Sequence, residues 1–99
     1  MAEKNKKRPK VIYEIQTAGY TFKFRKPTLE DIQMYGDMSF NSPTRATYNF
    51  IMNTLIEPSH EEAAKIFQEE PGLVLAIGSQ LLREVGLITE ITVKKVEAD

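Results

Sequence analysis

The stretch that most constrains this chain is Pro71–Gly86, PGLVLAIGSQLLREVG, its most apolar segment. Proline suits the first position of a helix, where its missing N–H costs nothing, and glycine suits the position just past the end, where the backbone often turns left-handed. At 100° per residue, Ser79, Gln80, Arg83 and Glu84 share one face. Val74, Ile77, Leu81, Leu82 and Val85 cover the other side, with Gly78 among them, and Leu73 and Leu75 widen the apolar surface at the start. The pattern predicts a helix over 71–86 against which the rest of the chain packs. Gly78 lies on its apolar side, and a missing side chain there permits close approach by a neighbouring element.

What must pack against it starts with two strands. Residues 11–16 alternate in part, and Tyr20–Arg25 alternates clearly, with Tyr20, Phe22 and Phe24 on one face and Thr21, Lys23 and Arg25 on the other. Thr17-Ala18-Gly19 supplies the glycine of a tight connection, so the two strands read as a β-hairpin. A lone hairpin is marginal in water. Its aromatic face must therefore lie on helices or on another chain.

Lys26-Pro27 ends the second strand. Thr28 is a good N-cap for a short helix over 28–38, and Glu30 and Asp31 favour its dipole. Leu29, Ile32 and Tyr35 form one apolar face and Met34 and Met38 a second stripe, while Phe40-Asn41 reads as a connector. Ser42-Pro43 opens a helix expected to run over 43–56. Tyr48, Ile51, Met52 and Leu55 line one side of it, and Ala46 and Phe50 lie nearly opposite. Such a two-sided helix is either sandwiched in the core or covered on one side by a partner. A chain of 99 residues has few layers with which to cover both, so a partner is expected. Glu57-Pro58 breaks the chain, Ser59-His60-Glu61-Glu62 reads as a capping box, and a helix over 59–69 buries Ala63, Ile66 and Phe67. Beyond Gly86, Ile91 and Val93 alternate with Thr92 and Lys94, so residues 87–99 form either a third strand on the hairpin or a mobile tail.

The expectation is one α+β domain over 11–86, an N-terminal hairpin followed by four helices. A chain of this size buries roughly two-thirds of its unfolded surface, enough for one core. Net charge is −1 but unevenly spread: residues 1–10 carry +4 and the remainder 8 basic and 13 acidic residues. The first ten residues thus read as a basic flexible arm. There is no cysteine, which removes disulfides and thiolate metal sites and suits a reducing cytoplasm. No apolar run reaches the ~18 residues of a membrane span, and the charged N-terminus has no hydrophobic segment after it, so it does not read as a secretory signal.

The residues offer no catalytic, cofactor or metal site. His60 is the single histidine, and its neighbour Ser59 makes no nucleophile–base pair at a helix start. The acidic pairs Glu61-Glu62 and Glu69-Glu70 sit where carboxylates favour helix dipoles, not in a pocket. Glycines 19, 36, 72, 78 and 86 form no phosphate-cradling motif. Lys23, Arg25 and Lys26 make a basic edge, but the hairpin aromatics alternate away from it and the folded part is acidic, which disfavours a nucleic-acid platform. The residues that point to function are Met34, Met38, Phe50, Met52 and Gly78. Methionine repacks easily against different partners, although it is also a common gap-filler of cores.

Phe22-Lys23-Phe24-Arg25-Lys26-Pro27-Thr28 leading into a short helix, then further helices with Pro71-Gly72-Leu73 opening the last and Gly86 closing it, resembles the small tail assembly chaperones of long-tailed bacteriophages and prophages. The resemblance spans roughly residues 11–86. It implies a non-enzymatic role in the host cytoplasm: holding the helical tape-measure protein soluble, helping to recruit the tail-tube protein, and self-association. Two further readings stay open, a small nucleic-acid-binding regulator using the basic arm and a minor structural protein of the virion tail or connector.

Overall fold

The computed structural model describes residues 10–87 and 93–96. The basic arm up to residue 9, and Ile91 and Thr92 of the possible third strand, lie outside the described residues. The elements run β1 (Tyr13–Thr17), β2 (Tyr20–Phe24), α1 (Leu29–Ser39), α2 (Pro43–Thr54), β3 (Leu55–Glu57), α3 (His60–Glu69) and α4 (Gly72–Glu84). The chain is therefore an α+β domain with an N-terminal antiparallel hairpin and four helices.

The hairpin closes through Ala18 and Gly19 alone, both at positive φ (51° and 83°). Two central residues with φ > 0 make a type I′ turn, whose twist matches the strands it joins. The register sets Tyr13 opposite Phe24, Ile15 opposite Phe22 and Thr17 opposite Tyr20. Phe22 and Phe24 are fully buried, and Phe22 stacks on Phe67 of α3 at 5.6 Å between ring centroids.

A third strand stabilises the hairpin, and it comes from the end of the helix expected over 43–56. The helix expected over 43–56 stops at Thr54, and Leu55–Glu57 turns extended to pair antiparallel with β2, giving the sheet order β1-β2-β3. The cause is visible at the end of α2, where the last carbonyls of a helix lack intrahelical partners. His60 Nε2 donates to the Met52 carbonyl at 2.7 Å. The Arg25 side chain donates to that of Asn53 at 2.7 Å, and the Arg25 backbone N–H to that of Thr54 at 2.9 Å. These donors replace the next helical turn. Val93–Val96 carry no regular secondary structure, and Val93 and Val96 are exposed.

The middle of the fold is α2, which packs against both α1 and α4. Both of its apolar sides are covered within the chain, contrary to the expectation of a partner there. Tyr35 of α1 meets Phe50 edge-on at 5.6 Å, while Tyr48 meets Phe67 edge-on at 6.0 Å. On the α4 side, Gly78 lies against Thr47 and Ile51. The apolar face read for α4 holds: Val74, Ile77, Leu81 and Leu82 are buried and Val85 half-buried, while Ser79, Gln80, Arg83 and Glu84 face water. Leu75 is an exception, being exposed. The helix ends in a Schellman motif, with Gly86 at φ 87°, Gly86 N–H bonded to the Arg83 carbonyl (3.1 Å) and Leu87 N–H to that of Leu82 (2.8 Å).

The caps also follow local chemistry. Thr28 and Asp31 form the complete reciprocal capping box at the start of α1. At α3, where a box was expected, the Ser59 hydroxyl accepts from the Glu62 N–H at 3.1 Å as an N-cap.

Candidate functional site

The sequence-derived candidates divide into two groups. Met34, Met38 and Phe50 come together where α1 lies on α2, lining a narrow crevice with Tyr35, Ala46 and Asn49. Met38 accepts a weak hydrogen bond from Asn49 Nδ2 at 3.2 Å on its sulfur. Met52 and Gly78 stand elsewhere, Met52 half-buried against the core and Gly78 buried at the α2–α4 contact.

Two candidates are corrected by burial. Phe50 is only 2% exposed and is spent on Tyr35, so it forms no part of a free surface. Gly78 does mark a close approach, but the neighbour is Thr47 of the same chain. Met34 stays exposed.

The free apolar surface belongs to residues read otherwise from the sequence. By spacing, Leu29 shares an apolar face of α1 with Ile32 and Tyr35, and Phe40 reads as part of a connector. The structure leaves Leu29 72% and Phe40 88% exposed. Helix α1 contains no buried residue. It is held inward by half-buried Asp31, Ile32, Tyr35 and Met38, and on its outer side lie Leu29, Gln33, Gly36 and Phe40, all exposed. At 100° per residue, Leu29, Gly36 and Phe40 fall within about 40° of one another and form a stripe along the helix that polar Gln33 interrupts. A Cβ at Gly36 would meet no atom within 4 Å, so the stripe has a shallow notch at its middle. Glu30 and Asp37, one helical repeat of seven apart, run beside it. The signal was present in the spacing: Leu29 and Phe40 are eleven residues apart, three helical turns, and the inward residues are centred on the opposite side.

The electrostatics at the root of α1 are structural. The Arg25 guanidinium meets the Asp31 carboxylate at 2.8 Å and Asp31 also accepts from the Thr28 N–H at 2.8 Å. The Arg25 hydrogen bond, with help from Thr28, outweighs the effect of burial and holds the Asp31 carboxyl below its ordinary pKa. Lys23 pairs with Glu57 across β2 and β3 at 3.7 Å. Two of the three cations of the expected basic edge are thus paired with carboxylates of the same chain, Lys23 within the sheet and Arg25 with α1. Tyr20, at the other end of β2, has its hydroxyl pKa raised by partial burial first and by Glu70 and Glu69 second. Among the described residues no group of three or more acidic, histidine or cysteine side chains is placed to hold a metal ion, and no helix is long and apolar enough to cross a membrane.

Residues 5–94 match the family described as Domain of unknown function (DUF6848), and the chain belongs to that family. A solved structure, "Structure of uncharacterised protein rbstp2171 from bacillus stearothermophilus", is similar at 28% identity with a TM-score of 0.75, covering 93% of this chain and 97% of its own. No curated protein matches.

Proposed function

We propose that this DUF6848 protein is a protein-binding assembly factor, a non-enzymatic tail assembly chaperone of a bacteriophage or prophage that keeps the tape-measure protein soluble in the host cytoplasm. The observation that carries the reading is the outer stripe of α1. An 88%-exposed phenylalanine and a 72%-exposed leucine on one helix face form an apolar surface that the described residues leave uncovered. Large exposed apolar side chains aligned on one helix face suit anchoring of another protein chain. Met34, exposed beyond the acidic residues of the same helix, adds a side chain that adapts to different partners.

The partner this face suits is an amphipathic helix lying along α1, the form of apolar segment a tape-measure protein would present. Leu29 and Phe40 act as the anchors and the Gly36 notch admits a bulky side chain between them. Glu30 and Asp37 keep the unoccupied face soluble. The motif resemblance over 11–86 supplies the identity of the client, and the stripe supplies the means of holding it.

The test is co-expression with a tape-measure protein encoded beside this chain. The reading expects the client in the soluble fraction with the parent chain and in the pellet with the Phe40→Glu variant. A client equally insoluble with and without the parent chain overturns it. Mass spectrometry of purified particles tests the alternative of a virion component, which requires the chain at stoichiometric levels.

A further inference from the structure

A second surface, separate from α1, lies along the open edge of the sheet. In the order β1-β2-β3, β1 pairs on one side only among the described residues. The two-residue hairpin closes on Thr17 and Tyr20, so Thr17, Ile15 and Tyr13 exchange main-chain bonds with β2. Glu14 and Gln16 therefore direct their N–H and C=O groups outward from the sheet edge, which is a template for another strand. The space beside that edge is an open groove between β1 and the Ala76–Gln80 side of α4.

The geometry points to a second copy of this chain as the occupant, joined β1 to β1 across a two-fold axis at Ile15. Antiparallel pairing joins outward-facing residues to outward-facing residues. Centring on Ile15 places Glu14 opposite Gln16 of the second copy and Gln16 opposite its Glu14, which gives two fully bonded pairs. Their side chains lie on the same face, where Gln16 Nε2 already donates to Glu14 Oε2 at 2.8 Å within one chain. The same amide–carboxylate pair then forms twice across the interface. On the inner face, Ile15 meets Ile15 of the second copy, and half-buried Tyr13 meets Thr17. Centring on Glu14 instead would oppose two carboxylates, and centring on Gln16 would run the strand into the turn. The strand is thus complementary to itself in one register, and the product is a continuous six-stranded sheet.

The test is the mass of the full chain by sedimentation over a range of concentrations, with charge variants at exposed positions that leave the fold intact by circular dichroism. The 11.3 kDa chain is expected to form a dimer. Gln16→Glu sets carboxylate against carboxylate at both pairs and should weaken the dimer at least ~10-fold at low salt, an effect that added salt screens. The double variant Glu14→Lys/Gln16→Glu sets lysine against glutamate and should restore it. A chain monomeric at every concentration overturns the inference. So does a dimer indifferent to Gln16→Glu but lost with Phe40→Glu, which would place the contact on α1.

Discussion

Gly78 of α4 and Thr47 of α2 meet so closely that a Cβ on the glycine would collide with the threonine Cγ2. The threonine cannot turn away cheaply. Its Oγ1 donates to the Pro43 carbonyl at 2.9 Å, which fixes χ1 and aims the methyl group at α4. The two helices thus approach through one missing side chain, and the core that surrounds Ile51 and Ile77 depends on that approach.

Substitution at Gly78 should therefore destabilise the domain. Gly78→Leu is expected to cost ~1–3 kcal/mol or more through overpacking. Gly78→Ala loses less, because alanine recovers up to ~1 kcal/mol of helix propensity. Urea denaturation measures both, and a Gly78→Leu variant as stable as the parent would show that the helices do not pack at this point. Thr47→Ser in the Gly78→Ala background removes the clashing methyl and should recover part of the loss.

The Arg25–Asp31 pair joins β2 to α1, and Arg25 also caps α2. Asp31→Asn should lower stability by about 1–3 kcal/mol at neutral pH, the range for a charge-assisted hydrogen bond. The carboxyl has a lower pKa folded than unfolded, so its contribution is complete above its ordinary value of 3.8 and is lost as pH falls through the folded value. Denaturation curves of parent and variant should separate at pH 7 and converge only as pH falls below 3.8 and through the lower folded value. A gap that persists undiminished in acid would assign the loss to packing instead.

Ala18 holds a left-handed conformation that costs a non-glycine residue roughly 1–2 kcal/mol. Asparagine tolerates it better, and Asn-Gly is the preferred type I′ pair. Ala18→Asn should raise Tm by a few degrees, on the scale of about 4–8 °C per kcal/mol for a domain of this size. A thermal melt showing a lower Tm would mean that the turn is not of this type.

Leu29→Glu and Phe40→Glu should each leave folding stability within about 0.5 kcal/mol of the parent, because neither side chain is part of the core. Both should abolish retention of a tape-measure client in a pull-down. Thermal stability and client retention together separate a binding surface from a packing surface, since a large drop in Tm would assign these residues to the core.

The local signals in the chain were strong enough to be read without the fold. Thr28 and Ser59 start their helices where capping chemistry places them, Pro43 opens α2 at its first position, Gly86 ends α4, and the Ala18-Gly19 turn closes the hairpin. The buried faces of α3 and α4 also follow from spacing, because each helix has only one apolar side to hide. Periodicity does not say which of the two apolar sides of α2 is covered, or by what, and so by sequence alone Phe50 reads as a contact for a partner.

What the sequence determined by itself were the ends of elements and the one-sided helices, since these depend on hydrogen bonds and apolar spacing within a few residues. Tertiary structure decided the rest. Arg25 and His60, 28 residues and 8 residues from the carbonyls they cap, turn Leu55–Glu57 from helix into strand. The approach of Gly78 to Thr47 lets α4 cover one side of α2 while Tyr35 covers the other. With both sides filled from within, the uncovered apolar surface moves to Leu29 and Phe40. A helix shows in its sequence which of its faces are apolar, but only the neighbours that fold onto it determine which of them meets solvent.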